Sequence, residues 1–387
     1  MVTTQFSKNF GQVVHLSTFF GHPFIYEKST LSVSPHFASN TSLMFFVILL
    51  QFLFLLVQVI RFKLANDSSQ LNFLVPVLYG VFYVSFSIAV FAFTPYEAAR
   101  QFNSVLRFRQ AVQDRYLSRK ESDAQLLCFD KYWTVTFYVS LLVPVVSPAI
   151  ALLHIVFASR NPIHVVSIFP SGSTMFKLLL IPYAVATAFW VLFIAFFLQI
   201  LVLIGMCSIF LLAPIVGGIK FPKNSNKKMA TLRSLSAVTH LYRSYQLLVK
   251  LTNQVYGWCI LPSQFTLGKF VVVGGYLLVT EFRTEGMSVD GVSIFILGGC
   301  VPMVAVVWSG FITCCGFVHS QSKRVIGSWR NAKWEGKIEK ASFKAFKKSC
   351  KPVFIGIPAI FEVKGDTVVK FNQGIVQGMF RALLTLK

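Results

Sequence analysis

The sequence predicts an all-α membrane protein with seven transmembrane helices. Of its 387 residues 55% are hydrophobic, including 41 Phe, and only 13% are charged. A soluble domain of ordinary composition carries about 25% charged residues. In addition, the apolar residues form long runs separated by basic blocks. Each run is long enough to cross roughly 30 Å of hydrocarbon at 1.5 Å per residue.

The apolar runs follow a mixed segment, residues 1–42, which we expect in the cytoplasm. Residues 43–318 contain six predicted spans, and their approximate ranges are 43–60, 73–93, 133–157, 178–219, 258–280 and 292–318. The fourth run has the length of two spans. Because its middle part, 192–204, contains no Gly, Pro, Asn, Asp or Ser for a turn, we interpret it as one long tilted helix.

The loop charges predict the topology. Loops two, four and six hold 24 of the 36 Lys and Arg residues, whereas loops one, three and five hold five. Positive loops stay in the cytoplasm. The amino terminus is therefore predicted inside and the carboxyl terminus outside, which is opposite to a G-protein-coupled receptor. The sequon at Asn66 then lies outside, and we expect Asn66 to be glycosylated.

Three stretches of the basic loops predict helical extensions with an apolar face. They lie at about 96–131, at 220–257 and in the basic segment 319–361. Their apolar residues step by three and four: Val105, Phe108, Val112 and Tyr116; Leu235, Val238, Tyr242, Tyr245, Val249, Thr252 and Tyr256; Trp334, Ile338, Ala341 and Ala345. We expect the three extensions to pack together as a cytoplasmic anchor domain. The alternative is that they lie on the anionic inner leaflet.

The last segment, residues 362–387, is apolar but carries a polar residue at every fourth position. Gln373, Gln377, Arg381 and Thr385 share one stripe of a helix. Polar groups that face lipid are costly, so the stripe should face protein or water. This pattern indicates a pore-lining or interface helix; the alternative is a terminal span that only packs in the bundle.

Two stretches then suggest a family. One runs from Leu232 to Tyr256 and contains Tyr245-Gln246-Leu247-Leu248; the other begins at Ser349-Cys350-Lys351-Pro352 and continues through the last helix. With the seven-span layout, they resemble the insect-type odorant and gustatory receptor superfamily. The gustatory branch closes its last helix with Thr-Tyr, five apolar residues and Gln-Phe. Here these pairs read Gly378-Met379 and Thr385-Leu386, which indicates a divergent member.

The resemblance implies a ligand-gated, non-selective cation channel of the plasma membrane. It would be a homotetramer, or a heterotetramer with a related co-receptor subunit, with one seventh helix per subunit around a central pore. The pore-lining residues implied are Gln373, Gln377, Gly378, Arg381, Ala382 and Thr385. A cation ring repels permeant cations, so either Arg381 turns to an adjacent subunit or the selectivity differs from that of the family.

The resemblance also implies a pocket for a small organic ligand between spans two, three, four and six. Aromatic side chains with a few polar groups suit a mostly apolar ligand. The candidates in the outer halves of these spans are Tyr79, Phe82, Tyr83, His154, Tyr183, Phe189, Trp190 and Phe295.

Other functional classes find little support. The seven His are dispersed and acidic residues number 14, so the sequence offers no catalytic residues, no metal site and no cofactor site. The basic residues fall between spans, which argues against nucleic-acid binding and leaves membrane lipids as the expected surroundings. The alternative function is a secondary transporter of a small solute, although neither an internal repeat nor a mid-membrane coupling charge is evident.

Overall fold

The computed structural model describes residues 4–117, 119–170, 172–221, 231–283, 291–332, 334 and 336–385. This part of the chain is an all-helical bundle with two small hairpins. The helices are α1 Thr4–Thr18, α2 Phe37–Leu64, α3 Ser68–Phe93, α4 Pro95–Tyr116, α5 Arg119–Phe157, α6 Thr174–Gly218, α7 Leu235–Arg283, α8 Gly291–Ser328, α9 Lys337–Ser349 and α10 Thr367–Thr385. The strands are β1 Phe24–Glu27, β2 Thr30–Val33, β3 Ile355–Ile357 and β4 Phe361–Val363.

Long apolar helices form most of the bundle. Five stretches of the described residues are long and apolar enough to cross a membrane: Thr41–Leu64, Phe129–Phe157, Thr174–Gly218, Leu235–Phe282 and Gly291–Asn331. In α3 the apolar stretch is Phe73–Ala89, which is shorter. Helix α10 carries too many polar residues to qualify by composition. The helical character of all seven predicted spans is confirmed, and spanning by α3 and α10 stays a prediction.

Helices α6 and α7 extend well beyond a bilayer. Helix α6 is one continuous helix of 45 residues, which confirms that the run 178–219 contains no hairpin. Helix α7 has 49 residues, and at 1.5 Å per residue such a helix measures about 70 Å, more than twice the hydrocarbon thickness. The predicted helical extension before the fifth span is therefore confirmed. We name the two ends of the bundle outer and inner after the predicted topology.

At the inner end the extensions pack on one another. Trp329 is fully buried, and its ring centroid lies 5.1 Å from that of Tyr242 on α7 and 5.5 Å from that of Phe346 on α9. The Tyr242 hydroxyl donates to the carbonyl of Lys351 over 2.9 Å. Burial raises the pKa of Tyr245, its neighbour on the same stripe. We define this group around Trp329 as the inner core; it confirms the predicted packing between the second and third extensions.

The predicted apolar face of α9 is wrong. Ile338 is 83% exposed, and Ala341 and Ala345 are exposed as well, whereas Phe343 and Phe346 are buried. A Phe side chain buries far more apolar surface than an Ala, so the two Phe residues decide which side of the helix packs. Their spacing of three residues places them on one face, next to Trp329.

The segment before α2 packs against the helical bundle. Phe6 and Phe10 of α1 are buried, and the Phe6 ring lies 4.4 Å from that of Trp133 on α5. After α1, the buried His22 stacks on Phe193 of α6, and burial lowers the pKa of His22 to about 4. The β1–β2 hairpin follows. Its turn was not predicted because it uses two non-Gly residues at positive φ, Lys28 and Ser29.

A second hairpin, β3–β4, connects α9 to α10. The Asn253 side chain of α7 holds it, because its amide donates to the carbonyl of Phe354 over 2.9 Å and accepts from the N–H of Gly356 over 3.0 Å. Gly356 has φ +133, and a Cβ there would lie 2.1 Å from the Phe361 carbonyl oxygen, so only Gly fits. The seventh helix therefore begins at Thr367 instead of residue 362.

Candidate functional site

One face of α10 packs against the rest of the chain. Phe371 is buried. Further along the helix, a Cβ added to Gly378 would lie 2.9 Å from Cγ2 of Val272, and one added to Gly275 would lie 2.8 Å from Cε of Met379. Glycine on both helices thus lets α10 approach α7 closely.

The other face of α10 carries the polar stripe. Gln373, Gln377, Arg381 and Thr385 are exposed, whereas Gly378 and Ala382 are partly buried beside α7. Gln373 and Gln377 stand opposite the packed face. The structure therefore divides the six predicted pore residues into four that are exposed and two that are partly buried. This arrangement leaves a row of polar groups for water or for another subunit.

Two contacts fix the start of this helix. The N–H of Lys364 donates to Oγ1 of Thr367 over 2.8 Å, and Lys370 pairs with Asp366 over 2.6 Å. One turn later, Ser309 of α8 donates to the side-chain oxygen of Asn372 over 2.9 Å. The first two contacts are local to the start of α10, and the third links α10 to α8.

At the outer end a buried polar cluster connects three helices. His154 of α5 lies 2.8 Å (Nδ1 to Nε2) from His164 and 2.7 Å (Nε2 to Oγ) from Ser293 of α8. His164 Nδ1 lies 3.3 Å from the hydroxyl of Tyr183 on α6, and the Asn161 amide donates to Ser293 over 3.1 Å. We name these five residues the outer cluster. All except Tyr183 are buried.

The outer cluster can rearrange its hydrogen bonds without gaining charge. A neutral imidazole has one N–H donor and one acceptor nitrogen, so the row from Ser293 through His154 and His164 to Tyr183 can run in either direction. A partner that supplies a donor or an acceptor at either end would select one direction. This chemistry suits a hydroxyl or carbonyl group, and the apolar face of Phe73 lies beside His154, with ring centroids 6.3 Å apart.

The outer cluster contains two of the predicted ligand-pocket residues, His154 and Tyr183. Sequence reasoning missed Asn161, His164 and Ser293. Asn161 and His164 lie in the connection between α5 and α6, and Ser293 is one small hydroxyl among many. Only the three-residue spacing of Asn161 and His164, just after the predicted outer end of span three, could have pointed to those two residues.

The other predicted pocket residues lie in different surroundings. Tyr83 hydrogen-bonds with Ser263 and Ser87, whereas Phe82 is 44% exposed and lies near Phe52 of α2. The remaining four are spread around the bundle: Tyr79 is partly buried, Phe189 contacts Phe20 of the amino-terminal segment, Trp190 packs on the large core, and Phe295 is 83% exposed.

A cavity of about 400 Å³ lies elsewhere, between α1 and the β1–β2 hairpin. Its lining is polar and includes Ser7, His15, Tyr26 and Lys28. None of the predicted pocket residues lines it. No pattern in the sequence predicts this cavity, because it depends on how the β1–β2 hairpin folds back on α1.

Comparison with known proteins gives a clear result at the level of structure alone. No protein-family model and no curated sequence matches the chain. The structure, however, is similar to that of the insect olfactory receptor OR5 from Machilis hrabei, with a TM-score of 0.69 over 98% of this chain and 97% of that one, at 12% identity. The same receptor in complex with eugenol gives a TM-score of 0.66 at 12% identity, over 99% of this chain and 98% of the other.

This chain has the insect olfactory receptor fold. The similarity extends over nearly the whole of both chains, so it includes the inner extensions, the β3–β4 connection and α10 as well as the apolar helices. At 12% identity the likeness concerns the fold. The fold class predicted from the sequence, an all-α membrane protein with inner helical extensions, is confirmed.

Proposed function

We propose that this protein is a chemosensory receptor subunit of the odorant or gustatory type, a ligand-gated ion channel opened by a small organic molecule. The observation that carries the proposal is α10, the last helix of an olfactory receptor fold, with one face packed on α7 and a polar stripe on the opposite face. A helix that only filled a bundle would not need that stripe. Four copies around an axis would enclose a polar path.

The proposed assembly is a tetramer in the plasma membrane, either homomeric or with a related co-receptor subunit. The inner core would provide a rigid base, and α10 of each subunit would line the pore, with Gln373, Gln377, Arg381 and Thr385 nearest to the permeant ions. The family resemblance implies conduction of cations without strong selectivity. The amino terminus would lie in the cytoplasm and the carboxyl end of α10 outside.

The proposed ligand is mostly apolar with one hydroxyl or carbonyl group. The outer cluster supplies exchangeable donors and acceptors, and Phe73 together with Tyr79, Phe82 and Tyr83 supplies aromatic surface on α3. One structural neighbour is a receptor in complex with eugenol, which supports a ligand of this size and polarity. Binding would act where α5, α6 and α8 meet.

Electrical recording tests this proposal. The chain is expressed alone and with an odorant co-receptor subunit, and whole-cell current is measured during application of eugenol and a panel of small alcohols, phenols and esters. We expect a dose-dependent current that Gln377→Leu reduces, because a ring of apolar side chains would dewet the path. Gln246→Leu, at the inner end of α7, serves as the control.

A transporter would behave differently, with saturable uptake of solute that Gln377→Leu does not change.

Antibody labelling tests the topology. An epitope after residue 387 should be accessible to antibody on intact cells, whereas an amino-terminal epitope should require permeabilisation. The reverse labelling pattern would overturn the topology, and surface-expressed protein that passes no current would overturn the channel.

A further inference from the structure

Arg381 is the cationic side chain near the carboxyl end of α10. The side chain is exposed, and it stands one turn after Gln377 and one turn before the end of the helix at Thr385. The other cation of this helix, Lys370, is paired with Asp366 three turns earlier. No ion pair involving Arg381 occurs among the residues that the structure describes.

The packing of α10 limits where Arg381 can point. Gly378 and Met379 lie against α7 at its Val272 and Gly275, close enough that α10 has little room to turn about its axis. Arg381 follows Gln377 by four residues, about 40° around the helix. It also follows the packed Gly378 by three residues, about 60°, so it lies exposed on the flank of α10 between Gln377 and the face packed on α7.

We propose that Arg381 makes the pore discriminate against divalent cations. The proposal rests on the proposed function, in which four α10 helices surround a pore; four guanidinium groups would then form a ring near the outer mouth. Repulsion between the ring and an ion scales with the ion's charge, so the barrier for Ca²⁺ is twice that for Na⁺ or K⁺. Arg stays charged at every physiological pH.

The same helix explains why monovalent cations still pass. The carboxyl end of a helix carries about half a negative charge on its last carbonyl groups. In α10 this end lies at Thr385, one turn beyond Arg381, so it offsets about half of each arginine charge. The remaining ring is weakly positive: a modest barrier for a monovalent cation and a much higher one for a divalent cation.

The test measures ion permeability in spontaneous openings and in openings evoked by eugenol. Purified protein is reconstituted in planar lipid bilayers, and the reversal potential of spontaneous and eugenol-evoked openings is recorded with Na⁺ on one side and Ca²⁺ on the other. Wild type should show a low Ca²⁺ to Na⁺ permeability ratio. Arg381→Gln should raise the ratio roughly tenfold. Ca²⁺ carries one more unit of charge than Na⁺, so removing the screened positive ring lowers the barrier more for Ca²⁺ than for Na⁺.

Three further variants separate charge from shape. Arg381→Lys keeps the charge and should keep the wild-type ratio, and Arg381→Glu should raise the ratio beyond that of Arg381→Gln. Lys177→Gln removes the same charge from an exposed site at the outer end of α6 and should change nothing.

The possible failures are distinguishable. Openings with the same permeability ratio in wild type and Arg381→Gln would overturn the inference and leave the channel intact; Arg381 would then face a neighbouring subunit. Folded tetramers that never open would overturn the proposed function, and this inference with it.

Discussion

The inner and outer ends of the bundle are built in opposite ways. The inner core packs Trp329, Tyr242, Phe343 and Phe346 ring against ring within one large cluster of buried apolar residues. The outer end has a second cluster of only six buried apolar residues, contributed by α3, α7 and α8, and beside it the outer cluster of histidines and hydroxyls. Dense apolar packing resists movement, whereas a row of neutral hydrogen bonds can exchange partners. The difference teaches that assembly and ligand response can be assigned to different ends of the same helices.

The largest effect is expected from breaking the inner core. Trp329→Ala should destabilise the protein by about 4 kcal/mol, because it opens a large cavity between α7, α8 and α9. The measurement is the thermal midpoint of detergent-solubilised protein, followed by size-exclusion chromatography with fluorescence detection. Trp258→Ala is the matched control, since Trp258 is 62% exposed. Equal thermal midpoints for the two variants would contradict a large contribution of the inner core to stability.

The amino-terminal segment should give the next largest effect, and it depends on pH. Burial lowers the pKa of His22 from 6.5 to about 4, so His22 is neutral when folded and binds a proton on unfolding between these values. The contribution of neutral His22 to the free energy of unfolding is therefore complete above about pH 6.5 and is lost as the pH falls toward 4. The loss amounts to about 3 kcal/mol at full extent.

Replacing His22 separates this contribution from those of the other histidines. Nε2–H of the buried His22 donates to the Phe193 carbonyl oxygen over 3.1 Å. His22→Gln keeps a polar contact but cannot titrate, so the thermal midpoint of this variant should fall less between pH 7.5 and pH 5 than that of wild type. His36→Gln, at an exposed site, is the control. A variant with the pH profile of wild type would show that His22 is not the titrating group.

Breaking the outer cluster should cost less stability than breaking the inner core. His164→Ala removes the link between His154 and Tyr183 and should cost about 2 kcal/mol, the typical penalty for disrupting buried hydrogen bonds. The readout that sharpens the comparison is the dose-response curve of evoked current. We expect its midpoint to shift at least tenfold, while Trp258→Ala leaves it in place. If His164→Ala lowered the stability but left the midpoint of the dose-response curve unchanged, the outer cluster would have a structural role only.

The smallest effect is expected at Asn66. This residue is exposed and has φ 56 in the turn between α2 and α3, at the predicted outer end. Its side chain is accessible to a glycan, so Asn66→Gln should remove an endoglycosidase-sensitive mass from the expressed protein with little change in thermal midpoint. Asn40-Thr41-Ser42 is a second sequon, which the predicted topology places in the cytoplasm, so Asn40→Gln should leave the mass unchanged. If only Asn40→Gln removed the glycan, the orientation of the chain in the membrane would be opposite to the predicted one.

The sequence by itself determined the helices and their faces. Runs of apolar residues without turn formers can satisfy their backbone groups in lipid only as helices, which is why α6 was correctly predicted as one continuous helix. Periodicity also identified the α7 stripe through Tyr242 and Tyr245, and the polar stripe of α10. The buried face of α9 was missed because periodicity of Ala and Ile was weighted above the larger area of two Phe residues.

Only the tertiary structure decided which residues meet. The outer cluster unites His154, His164 and Ser293 from positions up to 139 residues apart, and no pattern along the chain encodes such a contact. The aromatic residues of the predicted pocket lie in different surroundings for the same reason. A Phe at helical spacing can face lipid, the core or a ligand, and the packing of the neighbouring helices determines which. Local sequence fixes the conformation of each helix through its own hydrogen bonds and periodicity, whereas a site depends on the angle and depth at which distant helices pack.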